Sequence, residues 1–459
     1  MSLFMTLPRI HPPSASAAKA AIFAGVLGLA IASTLSAKDL HVSNSGNDEN
    51  PGTLAMPFAT VQRAEKAADA GDTVWIRGGR YQMNPKQIAR IQRNQAHVVF
   101  LSKSGSPDKP IRYCAYADEK PEFDFSEVKP PGLRVTAFHI AGSWLHFKGI
   151  SVTGVQVTLT GHTQSICFDN EGDHNVYEQL QMHDGQAIGF WLGRGSRNLV
   201  LNCDAYRNHD FTSENRKGGN VDGFGFHVPS GSVGNVFRGC RAWLNSDDGF
   251  DLITTAEPLL IENCWSFYNG FDASFKALGD GNGFKLGGYG SRTAAELPTP
   301  IPRHTIRQSL AARNRAAGFY ANHQLGGIDL LNNSAYLNGV NFNLLCRDAT
   351  NTTDVPGYGH KLKNNLGYKG YKEVSNLNAV ACDLSGNSFE LKQQLTDKDF
   401  AGLDEADLVQ PRQANGDLPA VTFMKLKAAS HAIDQGVDIG LPFKGKAPDL
   451  GAFEFAAAK

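Results

Sequence analysis

The sequence predicts an all-β fold, built as a parallel β-helix, and two repeated features indicate it. One is a short polar segment that recurs along the chain, and the other is a column of phenylalanines that follows its copies. Glycine is abundant, at 48 of 459 residues, and long helical patterns are scarce. Such a composition favours a turn-rich β architecture.

The repeated segment keeps the same polar positions from copy to copy. Its second residue is Asn, Gln or Gly, its fifth is mostly small, and its last is mostly Asn. The copies are EQLQMHDG (178–185), LNCDAYRN (201–208), RGCRAWLN (238–245), ENCWSFYN (262–269), RQSLAARN (307–314), LNNSAYLN (331–338) and KNNLGYKG (363–370). They recur about 23–24 residues apart, or at that spacing plus a loop, which fits one coil of a β-helix. Stacked coils bury their apolar faces against each other, and Asn suits the bends because it tolerates left-handed backbone.

Three of the seven cysteines occupy the third position of this repeat. The seven lie at positions 114, 167, 203, 240, 264, 346 and 382. We predict that Cys203, Cys240 and Cys264 stack as buried thiols. Ladder neighbours sit about 4.8 Å apart, whereas the Cβ atoms of a disulfide sit about 3.8 Å apart.

A phenylalanine follows six of the bends, directly or after an insertion. These residues are Phe190, Phe224, Phe250, Phe284, Phe319 and Phe342. Six rings in one column predict an interior aromatic stack, which core packing alone explains. Their value is that they align the neighbouring residues, because side chains alternate along a strand and the residue after each ring then faces outward.

This alignment gathers acidic side chains around the stretch NSDDGFDL. Asp222 and Asp248 each lie two residues before a ring on adjacent coils, so about 4.8 Å should separate their strands. Asp247 and Asp251 flank Asp248, and Lys285 is the ladder neighbour of Asp251. Clustered carboxylates raise each other's pKa unless a cation compensates, and calcium takes oxygen ligands. We therefore predict a Ca²⁺ site at the four aspartates, with a solvated acidic turn as the alternative.

A divalent cation beside a lysine suits β-elimination in a uronic-acid polymer. Neutralising the uronate carboxylate acidifies the C5 proton, a base removes that proton, and the C4 glycosidic oxygen leaves. Lys285 is the candidate base, and a salt bridge to Asp251 is the alternative reading of that lysine. The cation would lower the pKa of Lys285 and Asp251 would raise it, a balance that the sequence leaves open.

The remaining composition bounds the location and the partners. With 44 basic and 45 acidic residues the net charge is −1, so no global field favours nucleic acid or a membrane. Basic residues precede the apolar run AAIFAGVLGLAIASTL, which is typical of a secretory signal and short for a transmembrane anchor. We expect residues 1–37 to be a signal peptide and residues 38–459 to form one catalytic domain. The mature protein is expected to be a secreted monomer, extracellular or periplasmic.

The motifs VDGFGFH, RGCRAWLNSDDGFDL and GNGFKLGG resemble those of polysaccharide lyase family 9 pectate lyases. The resemblance implies a right-handed parallel β-helix with an N-terminal cap helix, loop insertions and a C-terminal tail. It also implies calcium ligands at Asp222, Asp247, Asp248 and Asp251, and a catalytic base at Lys285. The stretch TSENRKGGN (212–220) departs from the family pattern, which puts the specificity of the groove in doubt.

We accordingly predict a calcium-dependent pectate lyase that cleaves polygalacturonate by β-elimination. Basic residues that could contact the acidic polysaccharide are Lys276, Arg292, Arg313, Arg315 and Arg347. The loop GGYGSRTAAELPTPIP, which carries Arg292, is expected to form a groove wall. The alternatives are a lyase for another uronan, a polygalacturonase-type hydrolase and a β-helix that binds polysaccharide without catalysis. The hydrolase is disfavoured because the chain contains no Gly-His-Gly and no Arg-Ile-Lys.

Overall fold

Short strands wind in successive coils, and each complete coil contributes one strand to each of three parallel sheets, here named A, B and C. The computed structural model describes residues 37–456. The predicted signal peptide therefore lies, apart from Ala37, outside the described residues. The predicted parallel β-helix is confirmed.

The bounds of the strands follow the repeat closely. Sheet A contains Asp39–Val42, Thr73–Ile76, Ile111–Ala115, Leu145–Lys148, Val176–Glu178, Leu199–Leu201, Val236–Arg238, Leu260–Glu262, Thr305–Arg307, Asp329–Leu331, Lys361–Lys363 and Asp383–Ser385. Sheet B contains Gly79–Gln82, Pro121–Asp124, Ser151–Thr153, Gln181–His183, Asp204–Tyr206, Arg241–Trp243, Trp265–Phe267, Leu310–Ala312, Ser334–Tyr336 and Leu366–Tyr368. Sheet C contains Arg90–Gln92, Gln95–Leu101, Arg134–Ile140, Ser165–Asn170, Ala187–Leu192, Phe224–Phe226, Phe250–Asp251, Phe284–Lys285, Ala317–Tyr320, Val340–Asn343 and Lys372–Ser375.

A few elements lie outside the parallel ladders. Arg90–Gln92 pairs antiparallel with its neighbour in sheet C, and Cys346–Arg347 forms an antiparallel pair with Asp354–Val355. The cap helix is Val61–Ala67, and the Thr60 hydroxyl caps it by accepting a hydrogen bond from the Arg63 amide. The short 3₁₀ helices are Pro85–Gln87, Ala294–Glu296, Ala379–Ala381, Ser388–Glu390, Asp397–Asp399 and Glu405–Val409. Within residues 37–456, no helix has the length and hydropathy needed to cross a membrane.

The asparagine bends adopt the backbone that the repeat predicts. The second residue of every repeat copy has positive φ; these residues are Gln179, Asn202, Gly239, Asn263, Gln308, Asn332 and Asn364. At the end of the copies a buried ladder runs along the axis, in which Asn245 donates its amide to Asn269 Oδ1 at 3.1 Å and Asn269 donates to Asn314 Oδ1 at 3.0 Å. Each side-chain amide thereby satisfies an oxygen on the next coil. The ladder therefore fixes which residues of neighbouring coils lie opposite each other.

The predicted phenylalanine column forms the interior of sheet C. Phe224, Phe250, Phe284 and Phe319 are successive ladder partners, with ring centroids 4.8–4.9 Å apart. The column also continues toward the N-terminus through stacked rings that the repeat did not reveal, at Phe138 and Phe168. The prediction of buried, unpaired thiols at Cys203, Cys240 and Cys264 is confirmed.

The C-terminal segment packs against the outer face of sheet B. Phe423 packs edge-on against Tyr336, and Arg412 donates to Asp204 at 2.6 Å and to the Gly239 carbonyl at 2.9 Å. The C-terminal segment therefore covers sheet B. The acidic cluster lies elsewhere, on the outer face of sheet C.

Candidate functional site: an acidic cluster on sheet C

The site is built on three consecutive strands of sheet C. Asp251 pairs with Gly225 on the preceding strand and with Lys285 on the following one, so the predicted register is confirmed. The Lys285 Nζ atom lies 3.1 Å from Asp248 Oδ2 and 3.1 Å from Asp251 Oδ2. Only 14% of the Lys285 side chain is exposed. The amine is therefore held against two carboxylates on the outer face of sheet C.

Three of the predicted aspartates form one buried group. Asp222, Asp248 and Asp251 each offer a carboxylate oxygen within 4.8 Å of the other two. Asp248 is oriented by Asn282, whose backbone and side-chain amides both donate to its Oδ1 at 2.7 and 2.9 Å. Asp248 Oδ2 is buried, and Lys285 Nζ at 3.1 Å is its ionic partner. Asn282 thus holds Oδ1 and leaves Oδ2 facing the lysine.

Asp247 lies beside this group and has a second partner. Its Oδ1 accepts a hydrogen bond from the Asp280 amide at 2.8 Å, and its charge helps to raise the pKa of Asp222. The stretch 212–220 packs over the same turn, where the Ser246 hydroxyl donates to the Gly218 carbonyl at 2.8 Å. The stretch that departs from the family pattern therefore supports the turn that carries Asp247 and Asp248.

The electrostatics of the cluster are unbalanced. Burial first, and then the neighbouring carboxylates, raise the pKa values of Asp222 and Asp247 well above the usual range. Burial alone would lower the pKa of Lys285, but the surrounding aspartates outweigh it and hold this pKa far above 10.5. The amine is then a bound ammonium ion. The single positive charge of Lys285 faces four aspartates, so a further cation would bring the group closer to neutrality.

These observations fit a hard divalent cation. The donors are carboxylate oxygens, which calcium prefers, and the single charge of Lys285 is the cation that meets the three grouped carboxylates. Asp222, Asp248 and Asp251 could hold the ion together, whereas Asp247 lies outside this group of carboxylates and stays a predicted ligand.

Aromatic side chains flank the cluster along the groove. Trp191 pairs with Gly225 on one side of the cluster, and Tyr320 pairs with Lys285 on the other. His227 stacks on Trp191 with ring centroids 4.2 Å apart. Burial chiefly lowers the pKa of His227, and the charge of Arg292 adds to this effect. Trp191 and His227 are not among the site residues predicted from the sequence, although Trp191 directly follows a ring of the column.

The predicted basic residues fall into two sets. Arg292 is exposed on its loop, and Arg315 donates to the carbonyls of Gly279 and Asp280 at 2.7 and 3.1 Å, which braces the loop beside Asp247. Lys276 is exposed on the loop that carries Gly279 and Asp280. These three residues remain predicted contacts for the substrate.

The other two arginines are engaged elsewhere. Arg313 stacks on Phe275 and lies 3.1 Å from Glu405 of the C-terminal segment. Arg347 donates to the Gly290 carbonyl at 2.7 Å and lies 3.3 Å from Asp354. Nothing in these contacts supports a substrate role for either residue, and both assignments stay predictions.

Comparison with known proteins identifies the family. Residues 40–365 match the family described as Pel9A-like, right handed beta helix region. Pectate lyase L of Dickeya dadantii (strain 3937) is 32% identical over 421 residues, which cover 90% of each chain. A solved structure named rhamnogalacturonan lyase is 45% identical with a TM-score of 0.82, covering 85% of this chain and 97% of that chain. The crystal structure of pectate lyase Pel9A is 31% identical with a TM-score of 0.73, covering 92% of this chain and 97% of that chain. The chain therefore belongs to the polysaccharide lyase family 9 pectate lyases, with their Pel9A-like right-handed β-helix, and it is a polysaccharide lyase.

Proposed function

We propose that the protein is a secreted, calcium-dependent lyase that cleaves a pectic polymer at a 4-linked galacturonate by β-elimination. The observation that carries this proposal is the position of Lys285 Nζ, 3.1 Å from both Asp248 and Asp251 within a buried carboxylate cluster. An amine and a cation site this close can act on one substrate carbon and its adjacent carboxylate together.

The aspartates bind and orient. Asp222, Asp247, Asp248 and Asp251 would hold the calcium ion, and Asn282 keeps Asp248 in the ligating orientation. When bound, the cation supplies the positive charge that neutralises the galacturonate carboxylate and lowers the pKa of Lys285. The cation then offsets part of the negative charge that the four carboxylates place around Lys285.

Lys285 moves the proton. Its neutral Nζ accepts the C5 proton of galacturonate, the C5–H electron pair forms the C4=C5 double bond, and the C4–O bond breaks. The glycosidic oxygen leaves with the electron pair of that bond and takes a proton from solvent, so one product ends in an unsaturated sugar. Only the neutral amine can accept a proton, so activity should increase toward alkaline pH as that form becomes populated.

Two substrates contain the required 4-linked galacturonate. Polygalacturonate is the substrate implied by the pectate lyases among the relatives. Rhamnogalacturonan is the second candidate, favoured by the 45% identity to a rhamnogalacturonan lyase over 97% of that chain. Membership of a lyase family argues against the hydrolase and against a β-helix without catalysis.

Absorbance of the unsaturated product in the ultraviolet tests the function directly. Purified protein is assayed on each polymer with calcium, then with a chelator, and then with calcium restored. We expect absorbance to rise only when calcium is present. Chain cleavage without an unsaturated product would indicate a hydrolase and contradict the proposal.

Substitution of Lys285 tests the base. Lys285→Met should remove nearly all turnover while calcium and polymer binding remain, because only a contact of the transition state is lost. Lys285→Arg should also fail, since a guanidinium keeps its proton throughout the useful pH range. Lys129→Met, at an exposed lysine, is the matched control. Near-normal turnover in Lys285→Arg would show that this residue only binds substrate.

A further inference from the structure

A stacked Trp–His pair lies on the groove floor next to the cation cluster. Trp191 occupies the same outward column as Asp251 and Lys285, two strands before Asp251, with Gly225 between them. Strand spacing places Trp191 about 10 Å from Asp251 along the axis. That distance is suited to a neighbouring sugar of a polymer bound at the cluster.

The backbone leaves room for the indole in particular. A Cβ atom on Gly225 would lie 2.6 Å from Trp191 Cε3, and one on Gly193 would lie 2.9 Å from Trp191 Nε1. The ring therefore spans two glycines that face the groove. Trp191 is partly exposed, so an aromatic surface remains available to a ligand.

His227 joins this surface to the cluster. Its ring stacks on Trp191, and its Nε2 atom lies 4.0 Å from Asp251 Oδ2. Nε2 is buried and has no hydrogen-bond partner among the described residues. His227 therefore links the indole to the cluster by its position, within 4.0 Å of Asp251.

A carboxylate beside Trp191 disfavours an acidic ring stacked on the indole. The ladder neighbour of Trp191 on the preceding strand is Asp169, a carboxylate that already binds His139 Nδ1 at 2.8 Å. A second carboxylate stacked on Trp191 would face this aspartate, whereas an uncharged ring would bring only its apolar face to the indole. Arg292 is exposed and its charge acts on His227, so it is available for the carboxylate of an adjoining galacturonate.

We propose that Trp191 and His227 form a stacking platform for an uncharged sugar ring next to the galacturonate held at the cation cluster. A backbone that alternates galacturonate with rhamnose, an uncharged 6-deoxy sugar, presents such a ring. The platform rests on the proposed lyase function, and it makes rhamnogalacturonan the preferred substrate. It contributes to binding, and the proton transfer remains with Lys285.

Steady-state kinetics on both polymers test this platform. Trp191→Ala should raise KM for rhamnogalacturonan about tenfold with little change in kcat, because a contact equal in ground and transition states is removed. The change in KM for polygalacturonate should be less than about threefold. Trp191→Phe should recover most of the affinity, and Gly225→Ala should mimic Trp191→Ala because its methyl group displaces the indole.

A second Trp–His pair provides the matched control. Trp144 stacks on His174 with ring centroids 4.0 Å apart, on the turns that lead into sheet A rather than on the groove column. Trp144→Ala should leave KM for both polymers unchanged. Thermal unfolding of each variant checks that the fold is intact.

The outcomes separate the platform from the function on which it rests. Wild-type protein that produces no unsaturated product from either polymer would overturn the lyase proposal. An active enzyme whose KM is unaffected by Trp191→Ala would overturn the platform alone. Equal losses on both polymers, or cleavage of polygalacturonate but not rhamnogalacturonan, would refute the uncharged ring.

Discussion

Replacing Asn269 by alanine should destabilise the β-helix at the coil that carries the site. Asn269 is fully buried, and its Nδ2 donates to the Ala242 carbonyl, the Ser266 hydroxyl and Asn314 Oδ1 at 3.0–3.1 Å. Its Oδ1 accepts from the backbone and side-chain amides of Asn245 at 3.2 and 3.1 Å. One side chain therefore satisfies groups on three successive coils.

The size of the effect follows from the groups that lose their partners. Asn269→Ala leaves the Asn245 backbone amide and the Ala242 carbonyl buried without this partner. An unsatisfied buried polar group costs about 1–3 kcal/mol, so the loss of two partners should lower the free energy of unfolding by about 2–6 kcal/mol. Because Asn245 directly precedes the turn with Asp247 and Asp248, calcium affinity should fall as well.

Urea unfolding followed by circular dichroism measures this change. The midpoint should move to lower urea with a similar slope, as expected when stability changes and the exposed area does not. Asn47→Ala, at an exposed asparagine of an N-terminal turn, serves as control and should not shift the midpoint. An unchanged midpoint in Asn269→Ala would refute the view that the ladder carries coil stability.

Four further predictions concern the site, the tail and the pH dependence of stability. Asp248→Asn should weaken calcium binding at least about tenfold in calorimetric titration, whereas Asp280→Asn, at an exposed neighbour, should not. Chelation should leave the strand signal in circular dichroism intact, because the coils bury their own core; a large loss would contradict this. Arg412→Met should expose the C-terminal segment to limited proteolysis, since Arg412 donates to buried Asp204, and Arg313→Met at an exposed ion pair should not. Contact with His146, together with Lys148, lowers the pKa of Glu178 to about 2, so this carboxylate stabilises the fold above pH 4.5 and the contribution is lost as pH falls toward 2. The difference in unfolding midpoint between wild type and Glu178→Gln should therefore disappear in acid.

Residues within the repeat were predictable because the coil has constant geometry. Side chains alternate along a strand and equivalent residues stack, so aligning the phenylalanines also aligned Asp251 with Lys285. The same reasoning placed Asp222 beside Asp248 and the cysteines in a buried ladder. For these positions the chain spacing alone carries the three-dimensional information.

The rest of the site depends on contacts that chain spacing does not encode. Loops of unequal length interrupt the repeat, so the packing of residues 212–220 on Ser246 and the Asp280 contact of Asp247 arise only in the folded chain. Arg313 illustrates the same limit, since the distant Glu405 engages it. The sequence alone determined the coil, its register and the core of the acidic cluster, because these follow from local periodicity. Tertiary structure decided which loops close over the cluster, that the C-terminal segment covers sheet B, and that Trp191 meets His227 beside Asp251, because those contacts join segments whose separation has no period.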